Sequence, residues 1–168
     1  MKKNNVKNLA LGGLIAALYA VLTYLSSLFS LAYGPVQFRV SELLTVLPIF
    51  TPAAVPGLTL GCLIANIGSF NAVDLIFGTA ATLIAALLTR NFRKITTFGL
   101  PLLSMLPPVL VNALVVGLEI SIFYLDGFSV WGFLISAVQV GLGQLAVCYG
   151  LGIPFYLALK KLAKKLFS

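Results

Sequence analysis

Long apolar runs alternate along the chain with short stretches rich in glycine, proline, asparagine and charge. An α-helix crosses a bilayer with roughly 20 mainly apolar residues, and the loops between such helices carry polar and helix-breaking residues. The expected fold class is an all-α integral membrane protein, with residues 1–168 forming a single bundle. The pattern predicts about six crossing helices, at residues 9–31, 40–50, 53–70, 73–89, 98–124 and 130–159.

The second run, residues 40–50, is short for a crossing. As an α-helix rising about 1.5 Å per residue, it would extend only about 15 Å. Such a segment must use flanking residues or be shielded from lipid by neighbouring helices. A re-entrant hairpin formed by the second and third runs is an alternative that the pattern leaves open.

Composition narrows the class of protein. Hydrophobic residues make up 60% of the chain and charged residues 9%, and the mean hydropathy is +1.08, so too little polar surface remains for an ordinary soluble domain. The lysines before the first run resemble the start of a secretory signal. The run is longer than the roughly 7 to 15 apolar residues of a signal, and we therefore interpret it as an anchored helix.

The basic residues other than Arg39 form three clusters. Six crossings place all three on one side of the membrane, and a re-entrant hairpin would not change this. The positive-inside rule identifies that side as the cytoplasm, so both termini are expected there, in a bacterial plasma membrane. The basic charge then reports topology and attraction to anionic lipid rather than nucleic-acid binding. The clusters are Lys2, Lys3 and Lys7; Arg90, Arg93 and Lys94; and Lys160, Lys161, Lys164 and Lys165.

The carboxylates have the opposite distribution. Glu42, Asp74 and Glu119 fall toward the outer ends of the predicted helices, and Asp126 falls in an outer loop. A negative field inside low-dielectric walls favours a cationic or donor-rich ligand that enters from outside. The outer half of the bundle is therefore the predicted ligand side.

Arg39 and Glu42 stand in an otherwise apolar stretch that is followed by Pro48, Pro52 and Pro56. Ionisable residues inside a membrane segment are costly and indicate a functional site. Spaced three apart on a helix, the two side chains would share a face and partly neutralise each other. A structural ion pair that fixes a helix end is the alternative.

Polar residues on the other predicted helices complete a candidate ligand site. Asn112 and Glu119 are seven apart and face one direction on the fifth helix, although an interhelical hydrogen bond would also explain them. Asn66 lies a turn inside the third helix and needs either an internal partner or a ligand. The alternative for Asn71 or Asp74 is a helix cap. The predicted ligand residues are Arg39, Glu42, Asn66, Asn71, Asp74, Asn112, Glu119 and Gln139.

The residue inventory excludes several kinds of site. The chain has no histidine, which excludes a histidine-based metal site and a Ser-His or Cys-His nucleophile. Cys62 and Cys148 lie in apolar runs, where cysteines usually serve as small packing residues. No phosphate-binding loop of the Walker type is present, so ATP-driven work would come from a partner. We expect no catalytic residues, no metal and no cofactor.

Small residues form a ladder on the first helix. Gly12, Ala16 and Ala20 recur at intervals of four, next to a second stripe that contains Gly13 and Ala17. Helices in lipid associate by close backbone approach through small residues. The ladder predicts either docking of a partner helix or packing within the same bundle.

Three stretches resemble the queuosine-precursor (QueT-type) substrate-binding subunits, or S components, of energy-coupling factor transporters. The stretches are Val36-Gln-Phe-Arg-Val-Ser-Glu-Leu-Leu-Thr-Val-Leu-Pro48, Thr51-Pro-Ala-Ala-Val-Pro-Gly-Leu-Thr-Leu-Gly-Cys-Leu-Ile-Ala-Asn66 and Asp74-Leu-Ile-Phe-Gly-Thr-Ala-Ala-Thr-Leu83. The resemblance implies a six-helix subunit that captures its ligand outside and delivers it by toppling within a complex. That complex also contains a membrane-embedded coupling subunit and two cytoplasmic ATPases, and Ala16 and Ala20 match the Ala-x-x-x-Ala motif that S components present to the coupling subunit.

The ligand implied by the resemblance is a 7-deazaguanine such as 7-aminomethyl-7-deazaguanine. Its guanine-like edge and its ammonium group suit carboxylates such as Glu42, Asp74 or Glu119, while amides would read the carbonyl and ring nitrogens. Which carboxylate takes which group stays open at this point.

Two other functions compete with this interpretation. A stand-alone secondary transporter could use a proton on Glu119 or Asp74, but the chain shows no internal repeat of the kind found in many such transporters. An intramembrane enzyme would need a nucleophile and a base, and the sequence offers no recognisable pair.

Overall fold

A computed structural model describes residues 2–32, 38–68, 72–123, 125 and 127–166, without the side chains of residues 2–4 and 164–166. The described residues contain helices and no β-strand, which confirms the all-α class. A 3₁₀ helix, Val40–Ile49, is called the short helix below. The α-helices are α1 (Lys2–Leu28), α2 (Ala54–Ile67), α3 (Ala72–Asn91), α4 (Leu106–Phe123), α5 (Val130–Leu145) and α6 (Gly152–Leu166).

Within the described residues, four spans are long and apolar enough to cross a membrane: Asn5–Leu28, Ala72–Lys94, Leu103–Phe123 and Val130–Ala163. The last one joins α5 to α6 through a π-helical turn, Ala146–Leu151, so the two helices form one continuous span. The short helix and α2 are apolar but shorter. The protein is therefore a membrane protein whose helical segments match the six predicted runs.

The predicted fifth crossing, 98–124, begins later than expected. Phe98 and Gly99 have positive φ angles of 53° and 75° and form a tight turn, because Gly99 tolerates this conformation without strain. Pro107 and Pro108 lie in the first turn of α4, where a missing backbone N–H costs nothing. Together the turn and the prolines set the start of α4 at Leu106.

The short helix runs from one end of α3 to the other. Arg39, just before it, pairs with Asp74 in the first turn of α3, while the carbonyl of Pro48 near its end accepts a hydrogen bond from Arg90 Nη1 at 2.9 Å. A 3₁₀ helix rises about 2.0 Å per residue, so ten residues extend about 20 Å instead of the 15 Å of an α-helix. The segment therefore passes through the bundle, and the re-entrant hairpin is not observed.

Neighbouring helices shield the short helix from the surface. It packs against α1, α2, α3, α6 and the π-helical turn. This agrees with the expectation that so short a segment must be screened from lipid. Its buried residues are Ser41, Glu42, Leu44, Thr45, Val46, Leu47 and Pro48.

Charge separates toward the two ends of the bundle. At one end, Arg90 bonds the end of the short helix, and the rings of Phe50 and Tyr156 lie 5.3 Å apart with Lys160 over the Tyr156 ring. At the other end, Asp74 lies in the first turn of α3. Asp74 thus lies in the opposite half from Arg90 and Lys160, as the sequence predicts.

Candidate functional site

Arg39 joins three parts of the chain in the interior. It is 4% exposed, and its Nη2 lies 3.6 Å from Asp74 Oδ2 in an ion pair. Its Nε donates to the carbonyl of Ala32 at 2.7 Å, and its Nη1 donates to Asn66 Oδ1 at 3.3 Å. The guanidinium therefore links α2, α3 and the segment before the short helix.

The prediction that Arg39 and Glu42 share a helix face is wrong. Arg39 has extended backbone angles (φ −79°, ψ 110°) and precedes the short helix, so the two side chains do not share a helix face. Arg39 forms its ion pair with Asp74 instead. Glu42 still lies within the electrostatic influence of Arg39.

The two carboxylate oxygens of Glu42 differ in their hydrogen bonding. The side chain is 2% exposed, and Oε1 accepts a hydrogen bond from the hydroxyl of Tyr19 on α1. Among the described residues, Oε2 has no hydrogen-bond partner. Glu42 thus has a buried carboxylate oxygen that can accept a further hydrogen bond.

Glu119 is a second buried carboxyl group with acceptor capacity to spare. It lies on α4, is 2% exposed, and its Oε2 also lacks a hydrogen-bond partner within the described ranges. α4 packs against α3, and the rings of Phe77 and Phe123 lie 6.1 Å apart, so Glu119 lies toward the same end of these two helices as Asp74. Asn112, two turns earlier on α4, is likewise buried.

Asn66 has the internal partners that the sequence left as one alternative. Its Nδ2 donates to the backbone carbonyl of Asp74 at 2.9 Å and contacts Cys62 Sγ at 3.5 Å. A side chain at Gly78 would place Cβ 2.8 Å from Asn66 Nδ2, so a glycine is needed for this approach. Asn66 therefore bridges Arg39 and the backbone of α3 and holds the guanidinium in place.

Two predicted ligand residues remain, Asn71 and Gln139. Asn71 lies outside the described residues. Gln139 is half-buried on α5. The structure thus pairs Arg39 with Asp74 and buries Glu42 and Glu119, while Gln139 stays a candidate on α5.

The small-residue ladder of α1 packs against α2. A Cβ on Gly57 would lie 2.8 Å from the carbonyl oxygen of Gly12, and one on Gly61 would lie 2.8 Å from that of Ala16. Gly12, Ala16 and Ala20 are all buried. For Gly12 and Ala16 the structure shows the internal packing that the sequence left as the alternative to docking.

Tyr19 belongs to the site and was missed by sequence reasoning. It is fully buried, and its hydroxyl bonds Glu42. Thr23, one turn later, donates to Ser41 Oγ at 2.7 Å. The available signal was a line of hydroxyl groups at positions 19, 23 and 26 of an apolar helix, because buried hydroxyls need partners.

The chemistry of the cluster is that of an acceptor-rich, acidic site. Arg39 is paired with Asp74, whereas Glu42 and Glu119 have no ion-pair partner within the described part of the chain. Ionised carboxyl groups in such a setting are stabilised by a cation or by several donors. The arrangement can hold a small molecule that supplies both.

Comparison with known proteins also indicates a protein that handles a small molecule in the membrane. A profile of the family described as "QueT transporter" matches residues 9–161. The queuosine precursor transporter QueT of Lactococcus lactis subsp. cremoris (strain MG1363) is 40% identical over 84 residues, which are 50% of this chain and 50% of that relative. The matched part therefore spans half the length of that relative. No solved structure matches the chain significantly.

Proposed function

Because the chain belongs to the QueT transporter family, we propose that it binds a queuosine precursor inside the bilayer and delivers it into the cell. The QueT-type resemblance of the sequence is confirmed by this membership. The proposed ligand is a 7-deazaguanine, with 7-aminomethyl-7-deazaguanine as the best chemical fit. The protein acts as a transporter subunit and not as an enzyme.

The observation that carries this proposal is the pair of buried carboxylate oxygens, Glu42 Oε2 and Glu119 Oε2, without hydrogen-bond partners among the described residues. A buried acceptor left unpaired costs about 1–3 kcal/mol, and more when it is charged. A ligand that donates to both oxygens removes this cost. The two unpaired carboxylate oxygens therefore favour a ligand with several hydrogen-bond donors.

The proposed ligand has matching groups. A 7-deazaguanine presents a ring N–H and an amino group side by side, which a carboxylate accepts in the paired geometry that it also uses for arginine. Its aminomethyl form adds a positive charge. With Arg39 held by Asp74, this cation offsets one negative charge of the two glutamates, Glu42 and Glu119.

Binding supplies the direct test. Titration calorimetry of the purified chain with 7-aminomethyl-7-deazaguanine should show tight binding, with guanine and riboflavin binding weakly. Glu42→Gln and Glu119→Gln should each weaken binding roughly tenfold or more, because a hydrogen bond to a charged group contributes about 1.5–3 kcal/mol.

Asp126→Asn is the matched control, since it removes the same charge from the segment between α4 and α5. Affinity for 7-aminomethyl-7-deazaguanine should stay within about twofold in that variant. If both glutamate variants fold and bind like the wild type, the ligand site lies elsewhere.

We further propose that the chain works as an S component, with a membrane-embedded coupling subunit and two cytoplasmic ATPases. The sequence resemblance supports this assembly, and the basic residues at one end of the bundle support placing both termini in the cytoplasm of a bacterial cell. The membrane is then crossed several times, with the carboxylate half toward the outside.

In this proposal, the partner docks on the stripe of α1 that contains Gly13 and Ala17, next to the ladder. Gly12 and Ala16 are already covered by α2, whereas Ala17 is exposed and a Cβ on Gly13 would meet open space. A coupling subunit reaches Gly12 and Ala16 only after α2 moves away. Ala17 is therefore the residue at which docking can be tested without disturbing the bundle.

Ala17→Trp is expected to reduce uptake at least tenfold in cells that express the coupling subunit and the ATPases, since an indole blocks close helix approach. Ligand binding by the isolated variant should be unchanged. Ala80→Trp, at an exposed alanine of α3, is the control. Uptake that continues without the partner subunits and collapses with an uncoupler would contradict the assembly and indicate a proton-coupled secondary transporter.

A further inference from the structure

Tyr19 forms a hydrogen bond with one of the two carboxylate oxygens of Glu42. Its side chain is 0% exposed, and its hydroxyl donates to Glu42 Oε1 across the contact between α1 and the short helix. A phenol hydroxyl has one proton to donate, and that proton is committed to Glu42. Glu42 therefore retains one buried oxygen, Oε2, as a free acceptor among the described residues.

Glu119 differs from Glu42 in its side-chain hydrogen bonds. No side-chain hydrogen bond involves it within the described part of the chain, and its Oε2 is fully enclosed. It can therefore accept two parallel hydrogen bonds with both oxygens unshared, whereas Tyr19 already uses one lone pair of Glu42 Oε1. The two glutamates thus offer different acceptor geometries to the same ligand.

We propose that Tyr19 is a positioning residue that shares Glu42 Oε1 and leaves Oε2 as the unshared acceptor, so that Glu42 takes the single ammonium of the ligand and Glu119 takes its two-donor edge. This assignment rests on the proposed function. It explains why a site with two similar carboxyl groups binds an asymmetric molecule in one orientation, since a two-donor edge pairs best with a carboxylate that has both oxygens available.

The contacts around Tyr19 hold the hydroxyl in place. Thr23 donates to Ser41 Oγ at 2.7 Å, and the backbone N–H of Val40 donates to Ser26 Oγ at 3.1 Å. These two contacts follow the Tyr19–Glu42 bond along the same face of α1. The start of the short helix is thereby fastened to α1 at three successive points.

The backbone of Glu42 is held from the other side. Its carbonyl accepts a hydrogen bond from Thr45 Oγ1 at 2.6 Å, and Cys148 of the π-helical turn lies 3.9 Å from the same oxygen. Both ends of the residue are therefore fixed, the carbonyl by the short helix and the carboxylate by Tyr19. A carboxylate held in this way keeps Oε2 in one direction.

The test compares two ligands that differ only in the group for which Glu42 is responsible. 7-Aminomethyl-7-deazaguanine carries the ammonium, and 7-cyano-7-deazaguanine has the same donor edge without it. The wild type should prefer the aminomethyl compound at least tenfold, since charge-assisted hydrogen bonds are about twice as strong as neutral ones. Glu42→Gln should remove most of this preference, whereas Glu119→Gln should weaken both compounds alike.

Tyr19→Phe keeps the buried ring and removes the hydroxyl. It should lower the preference for the aminomethyl compound about threefold to tenfold, but have little further effect in the Glu42→Gln background, because Tyr19 acts through Glu42. Tyr24→Phe is the matched control on α1: its hydroxyl donates to the carbonyl of Ile64 at 2.7 Å, away from Glu42. That variant should keep the wild-type preference.

The outcomes separate this inference from the proposed function. If the wild type binds neither compound, the proposed function fails and this assignment fails with it. If the wild type binds and prefers the aminomethyl compound, but Tyr19→Phe keeps that preference or adds fully to Glu42→Gln, only the role of Tyr19 is overturned. An equal loss of both compounds in Glu42→Gln overturns the assignment of the ammonium.

Discussion

Replacing Arg39 with glutamine is expected to lower the free energy of unfolding by about 3–5 kcal/mol, because it leaves Asp74 buried without its cation. Asp74 is 5% exposed, and its ion pair with Arg39 is the contact that offsets its desolvation. The same change removes the hydrogen bonds to Asn66 and to the carbonyl of Ala32. Reversible unfolding in mixed micelles, followed by helix content, measures the difference.

Two further variants separate charge from packing. Arg39→Gln combined with Asp74→Asn should recover much of the lost stability, since neither charge is then unpaired. Arg93→Gln is the surface control: Arg93 Nη1 donates to the carbonyl of Arg90 at 3.0 Å, near the end of α3, where a cation contributes about 0.3–1 kcal/mol. Equal losses for Arg39→Gln and Arg93→Gln would mean that the buried pair does not stabilise the fold.

Gly61→Ala is expected to destabilise the protein by about 1–3 kcal/mol, the usual cost of overpacking. A Cβ at this position would lie 2.7 Å from Tyr19 Cβ and 3.0 Å from Ala16 Cα, so α1 and α2 must separate. Because Tyr19 moves with α1, ligand affinity should fall as well. Unfolding and calorimetric titration of the same preparation measure both effects.

Gly13→Ala provides the comparison on α1. A Cβ there meets nothing within 4 Å, so the substitution should be neutral, or stabilising by up to about 1 kcal/mol through helix propensity. If Gly61→Ala and Gly13→Ala behave alike, close packing of α1 on α2 is not what the glycines provide.

The predictions for Arg39 and Gly61 concern one set of contacts that positions the site. Gly61 lets α1 approach α2, Tyr19 of α1 holds Glu42, and Arg39 anchors the chain just before the short helix to α3. The site therefore depends on helices that contribute no ligand-binding group of their own. A substitution in α2 can change affinity without touching the ligand.

The outline of the fold follows from the sequence because the bilayer restricts the possibilities so strongly. Apolar runs in lipid must be helical, since every backbone polar group needs an internal partner. The predicted sixth run and α5 both begin at Val130, where Ser129 Oγ accepts from the backbone N–H of Gly132. The pattern did not reveal the 3₁₀ form of the short helix, because that form depends on the length that its neighbours require.

The members of the site were also largely readable from the sequence, since ionisable groups inside an apolar chain are rare and costly. Arg39, Glu42, Asp74 and Glu119 stand out for that reason alone. Tyr19 does not, because tyrosines are common in membrane helices, where they also serve as interfacial anchors.

The sequence by itself determined the membrane class, the approximate helix positions, the separation of charge and the family. Only the tertiary structure decided the partners: Arg39 with Asp74 instead of Glu42, Glu42 with Tyr19 from 23 residues away, and the glycines of α2 against the ladder. The physical reason is that spacing along a helix predicts neighbours only while the backbone stays helical. Arg39 is extended, and the other two contacts join elements that are distant in the chain and meet only when the bundle packs.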